Sequence, residues 1–125
     1  NRINFEFELA PALTISGDPE KLKIAFRNLI VNAIEAIKGK GTIIIKAKKE
    51  ESLVRVEIID DGEGMDEATL SRIFEPDFST KDLGTGLGLP ISRKIIEDHG
   101  GKIEISSRPG LGTQVKVNLP LSSPL

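Results

Sequence analysis

Asp60-Asp61-Gly62-Glu63-Gly64-Met65 sets acidic side chains beside glycines at the end of an alternating run. Val54, Val56 and Ile58 alternate with Arg55, Glu57 and Ile59, the pattern of a strand with one buried face. Side chains two apart share a face, so Asp60 falls on the buried side and Asp61 on the other. A carboxylate aimed into apolar surroundings is costly unless something satisfies it. Gly62 and Gly64 let the backbone turn sharply or let a ligand come close. Two readings fit: Asp60 accepts from a donor on a flat ligand, or it caps the amides of an ordinary turn.

Further residues pose similar questions. Asn28 and Asn32 lie four apart on a helical pattern, so they share a flank beside the apolar stripe. An amide oxygen there suits a hard cation such as Mg²⁺; solvated or back-bonded amides are the plainer reading. Gly84-Thr85-Gly86-Leu87-Gly88-Leu89 runs into a helix over 89–99, whose free amides and dipole would favour an anion. The spacing is not the dinucleotide-binding G-x-G-x-x-G, and a glycine cluster alone is weak evidence. Thr113 shares parity with Val115, so its hydroxyl points to the buried side. There it would meet the same ligand as Asp60 or satisfy a backbone group. His99 closes its helix and reads as a cap at the negative dipole end rather than a catalytic base.

The elements that position these groups follow from period and punctuation. Ile3, Phe5, Phe7 and Leu9 alternate with polar residues, predicting a half-buried opening strand; 13–15 could resume extended structure. The chain starts in that strand with no lead-in, as a piece of a longer protein would. Asp18-Pro19-Glu20 starts a helix that carries Leu22, Phe26, Leu29, Ala33 and Ile37 and ends at Gly39 and Gly41. Strands over 42–48 and 53–60 form an antiparallel hairpin. A short helix follows Gly64, with Asp66 as its cap. The stretch up to Leu89 is long and irregular, the form of a lid; Phe74 and Phe78 would dock it and the glycines would hinge it. The helix over 89–99 turns Ile91, Ile95 and Ile96 inward, and two final strands flank Pro109-Gly110-Leu111-Gly112.

Composition narrows the class. The 125 residues suffice for one domain with a core. A net charge of −2 makes no general case for nucleic acid. No apolar run reaches membrane-spanning length. Cysteine is absent and His99 is the single histidine, which excludes disulfides, thiolate sites and a His-based metal cluster in this chain.

Taken in order, these pieces resemble the ATP-binding catalytic domain of sensor histidine kinases, within the wider family of gyrase-type, heat-shock-chaperone-type, kinase and mismatch-repair ATPases. Asn28-Leu29-Ile30-Val31-Asn32-Ala33 is similar to the N box, and Asp60-Asp61-Gly62-Glu63-Gly64-Met65 to the first glycine box. Phe74-Glu75-Pro76-Asp77-Phe78 is similar to the F box, Gly84-Thr85-Gly86-Leu87-Gly88-Leu89 to the second glycine box, and Gly110-Leu111-Gly112-Thr113 to a closing glycine-threonine signature. The resemblance covers essentially the whole chain.

It implies an α/β (α+β) sandwich, the Bergerat ATP-binding fold: a mixed, mostly antiparallel sheet with helices on one face. It also implies a single domain over 1–125 with an ATP lid at about 65–87. The implied cofactors are ATP and Mg²⁺. Asp60 would accept from the adenine amine with support from Thr113. Asn32 would ligate Mg²⁺, with Asn28 at the phosphates and Lys81 a candidate for the terminal ones. Gly62, Gly64, Met65 and Phe74 would line the nucleotide, and the amides of Gly84, Thr85, Gly86, Leu87, Gly88 and Leu89 would cradle its phosphates. The phosphoryl acceptor would be a histidine on a separate dimerisation and phosphoacceptor domain, with a response regulator receiver domain downstream. The implied setting is cytoplasmic, with no nucleic-acid or membrane contact by this domain and a monomer in isolation.

The chain departs from the family in two places. Asp77 stands where F boxes often carry an apolar residue. Asn28 stands where ATP-hydrolysing relatives carry a water-activating Glu; an amide cannot take a proton, which favours transfer to an external acceptor. Two alternatives remain: an anti-sigma-factor-type serine kinase of the same fold, and a non-catalytic module that uses nucleotide as a switch. A P-loop enzyme or ordinary protein kinase lacks its motifs here.

Overall fold

The computed structural model describes residues 2–11, 13–75 and 88–121. Its elements run β1 (Arg2–Leu9), α1 (Pro19–Ala36), β2 (Lys40–Glu50), β3 (Leu53–Asp60), α2 (Glu67–Leu70), α3 (Gly88–Asp98), β4 (Lys102–Arg108) and β5 (Gly112–Pro120). The strands form one five-stranded sheet in the order β1-β2-β3-β5-β4. β1 pairs with β2 in parallel, and every other pair is antiparallel. The helices pack on one face, as expected of this α/β sandwich.

α1 starts where the sequence places it. The Asp18 carboxylate accepts from the amides of Glu20 and Lys21 at 3.0 and 3.2 Å, and Pro19 occupies the first turn. Ala25, Leu29 and Ala33 form its buried stripe over β3 and β5. The helix stops at Ala36, earlier than the glycines that were expected to end it. Ile37 turns extended at φ −94° and ψ 121° and is buried, so the core holds that side chain before Gly39 is reached.

α3 packs across α1. The Ser92 hydroxyl, fully buried, donates to the Ala25 carbonyl at 2.9 Å. His99 joins the far ends of the two helices. The Asp18 N–H can only donate, so His99 Nε2 accepts it, at 3.0 Å. The ring proton then sits on Nδ1, 2.7 Å from the Ile95 carbonyl. The expected cap is therefore real, and it also ties α3 to the start of α1. His99→Ala should lower stability by about 1 kcal/mol in a denaturant melt; an unchanged midpoint would show that the bridge contributes nothing.

Three expectations fail for identifiable reasons. Phe5, Phe7 and Leu9 were expected to be half buried, yet Phe7 is 60% exposed and the others are exposed as well. β1 is an edge strand, while α1 lies over β3 and β5. Alternation correctly put those residues on one face, but nothing in the strand itself covers it. Ile91 is exposed on the outer side of α3, where Ser92 takes the inward position. Residues 13–16 carry no regular structure.

Candidate functional site

β3 delivers Asp60 to the end of the sheet with its side chain on the core face, where the residue is 5% exposed. In register it stands between Ile43 of β2 and Thr113 of β5. Directly opposed residues on antiparallel strands share a face, so the Asp60 carboxylate and the Thr113 hydroxyl are neighbours by construction. Gly62 N–H donates to Asp60 Oδ1 at 2.9 Å, so the turn-capping reading is realised. A carboxylate accepts several donors, so this bond leaves the ligand-reading role open. Asp61, of opposite parity, accepts from the Thr42 N–H at 2.8 Å and anchors the start of β2.

The Gly62-Glu63-Gly64 backbone is clamped from both sides. Glu63 N–H donates to the Ala36 carbonyl at 2.9 Å, and Glu63 C=O accepts from Gly110 N–H at 2.7 Å. One residue thus ties the end of α1 to the β4–β5 turn. A side chain on Gly62 would meet the Ala36 carbonyl at 2.5 Å, and one on Gly64 would run into the Arg108 carbonyl. In this structure the closest neighbours of these glycines are the protein's own backbone.

A hydroxyl that sequence reasoning passed over sits beside Thr113. Ser107 Oγ receives the Met65 N–H at 2.8 Å, lies 2.8 Å from Thr113 Oγ1 and donates to the Gly112 carbonyl at 2.9 Å. Ile103, Ile105 and Ser107 share parity, so continuing the alternation two residues further would have placed this serine inward. A recess of about 290 Å³, at the low end of ligand-site volumes, opens at this end of the sheet. Its lining draws on both faces of the sheet end, with Asp60, Ser107 and Thr113 of one parity and Ile59, Ser106 and Gln114 of the other.

The asparagine flank of α1 faces α3. Asn28 Nδ2 donates weakly to the Gly88 carbonyl at 3.4 Å, and a side chain on Gly88 would sit 3.3 Å from Asn28 Cβ. This places Asn28 against the first residue of α3, where amide groups lack intrahelical partners. Asn32, one turn on, has a buried amide nitrogen with no hydrogen-bond partner among the described residues. A buried NH₂ left in that state would be satisfied by an acceptor, such as a phosphate oxygen of a ligand. No cluster of three His, Cys, Asp or Glu suited to a metal exists among the described residues. The side-chain oxygen of Asn32 is a hard donor of the kind Mg²⁺ takes, one or two from the protein with phosphates and water completing the shell.

The start of the expected lid is partly visible. Asp66 caps α2 through the Thr69 N–H at 2.8 Å. Thr69, through its amide and then its hydroxyl, holds the Asp66 carboxyl below its usual value. Ile73 is buried, and Phe74 packs half buried on the core with the Arg93 guanidinium 4.9 Å above its ring. Leu89 likewise packs against the core. Asp77, Phe78, Lys81, Gly84, Thr85, Gly86 and Leu87 lie outside the described residues.

Comparison with known proteins gives this geometry its relatives. Residues 17–123 match the profile of the family described as "Histidine kinase-, DNA gyrase B-, and HSP90-like ATPase". Sporulation kinase A of Bacillus subtilis is 44% identical over 87% of this chain and 18% of that protein. Sensor histidine kinase ZraS of Klebsiella oxytoca is 41% identical over 96% of the chain and 26% of that protein. The chain thus spans about a quarter or less of the length of these relatives. Among solved structures, the catalytic domain of histidine kinase ThkA superposes with a TM-score of 0.85 at 41% identity, covering 94% of this chain and 78% of that one. Full-length ShkA in complex with AMPPNP superposes at 0.83 with 26% identity, covering 98% of this chain and 26% of that one. The strand-end Asp60, the paired asparagines on α1 and these likenesses lead to one conclusion: the chain belongs to the histidine kinase-, DNA gyrase B- and HSP90-like ATPase family, among its histidine kinase catalytic domains.

Proposed function

We propose that this chain binds ATP with Mg²⁺ and donates the γ-phosphoryl group to a histidine on a separate dimerisation and phosphoacceptor domain, within a two-component kinase that acts in the cytoplasm. A response regulator receiver domain would take the group next. On this reading residues 1–125 are one catalytic domain with its lid at about 65–87.

The observation that carries the reading is the pairing of two poles on one face. At one pole Asp60 is buried in register with Thr113. At the other, Asn28 meets the first residue of α3, and the buried Asn32 amide nitrogen one turn along α1 has no partner among the described residues. Asp60 accepts from the adenine amine and Thr113 supports it. Gly62, Gly64 and Met65 shape the base pocket, and Phe74 holds the lid's root against α3. Asn28 and the N-terminal amides of α3 face the phosphates. Lys81 and the amides of residues 84–89 complete the cradle. Asn32 would hold Mg²⁺, which would supply neutralisation of the phosphate charge. Asn28, unable to accept a proton, leaves water unactivated at that position.

His99 is a poor acceptor on this account. Its Nε2 lone pair takes the Asp18 N–H, and its other nitrogen bonds the Ile95 carbonyl. The isolated chain, incubated with γ-labelled ATP and Mg²⁺, should retain no phosphate. Addition of a helical phosphoacceptor domain should yield acid-labile, alkali-stable label on that domain. Acid-stable label would favour the serine-kinase alternative, and label on this chain that disappears with His99→Ala would overturn the proposal.

A further inference from the structure

Ser107 lies on β4, outside every family motif quoted above, yet its hydroxyl is the hub of the strand-end network. Hydrogen-bond accounting restricts what each partner can do. The Met65 N–H can only donate, so it takes one Ser107 lone pair, at 2.8 Å. The Gly112 carbonyl can only accept, so at 2.9 Å it takes the single Ser107 proton. The contact of 2.8 Å between Ser107 Oγ and Thr113 Oγ1 then has one solution: Thr113 donates its proton to Ser107. With that proton committed, the Thr113 oxygen meets anything else as an acceptor only.

From this geometry we infer that Ser107 is a positioning and specificity-determining residue for the base pocket. It acts by fixing the polarity of the Thr113 hydroxyl. Asp60 accepts only, and Thr113, opposite it in register, is held in the same sense. Two acceptors side by side select a ligand edge, or a bridging water, that donates. At the exocyclic position 6 a 6-amino purine presents donors, whereas a 6-oxo purine presents an acceptor there and carries its donor, N1–H, at the neighbouring ring position. Buried polar groups discriminate strongly when the mismatched analogue leaves one unpaired. This inference rests on the proposed nucleotide site. It adds the residue that sets the polarity of the site, and it ties the pocket to Met65, the first residue of the expected lid.

The test is calorimetric titration of the whole chain with ADP and with inosine diphosphate, for wild type and Ser107→Ala. Removing Ser107 frees the Thr113 proton to rotate toward the ligand. The ADP-over-inosine-diphosphate preference should then fall by roughly five- to tenfold, while ADP itself weakens only by about threefold. In a Thr113→Val background, Ser107→Ala should leave the preference unchanged, because the hydroxyl it controls is gone. Should Ser107→Ala melt early, Ser107→Cys, whose thiol is only a weak donor and acceptor, should lose part of the preference in the same direction. A preference unaltered by Ser107→Ala or Ser107→Cys, with ADP still bound, would overturn the inference and leave the nucleotide site standing. Absence of ADP binding to folded wild type would overturn both.

Discussion

Asp60→Asn weakens ADP binding by about 1.5–3 kcal/mol, roughly 10- to 150-fold, in a calorimetric titration against wild type. The magnitude follows from what is exchanged. Asp60 is 5% exposed, so a bond to it forms away from bulk water and is charge-assisted. Asparagine keeps an oxygen for the Gly62 N–H, now 2.9 Å from Oδ1, so the strand-end turn should survive. Its other end carries an NH₂, which meets the adenine amine donor to donor. Fold and affinity are therefore separable in this variant. An Asp60→Asn chain that melts like wild type and binds ADP as tightly would mean that Asp60 serves the turn alone.

The second large effect lies in the β4–β5 turn, where two glycines make a controlled comparison. Gly110 and Gly112 both hold positive φ, at 77° and 87°. A side chain on Gly110 would meet nothing within 4 Å, whereas one on Gly112 would run into the Asp60 carbonyl oxygen. Gly110→Ala should therefore cost only the conformational strain, about 1 kcal/mol. Gly112→Ala adds a backbone collision that only movement of β5 relative to β3 can relieve, for a total of about 3 kcal/mol or more. The Gly112 carbonyl also receives the Ser107 proton, so nucleotide affinity should fall with stability. Equal losses from the two substitutions in a denaturant melt would refute the steric argument.

The legible parts of this protein are those that period and punctuation control. Alternation assigned Asp60 and Thr113 to the core face, and the register between β3 and β5 sets them opposite each other. The Asp-Pro start of α1 is local chemistry, and it forms as the sequence indicates. The same alternation misjudged Phe5 and Phe7, because a pattern reports that two faces differ and not whether a helix covers one of them. Helical spacing placed Asn28 and Asn32 on one flank, but that the flank meets α3 is a packing fact no local pattern contains. The glycines of the first glycine box invite a ligand-approach reading. Only the fold reveals that Gly62 lies against Ala36 and Gly64 against Arg108. Ser107 was within reach of the parity argument, which stopped at Ile105 for want of an apolar residue to carry it further.

One measurement tests the central claim most directly: calorimetric titration of the wild-type chain with ADP and with a non-hydrolysable ATP analogue, each with and without Mg²⁺. The account predicts saturable binding at a single site, with the analogue strengthened by Mg²⁺, because the ion proposed at Asn32 would take most of its shell from phosphates and water. A folded chain that binds neither nucleotide, or binds both with no response to Mg²⁺, would contradict it.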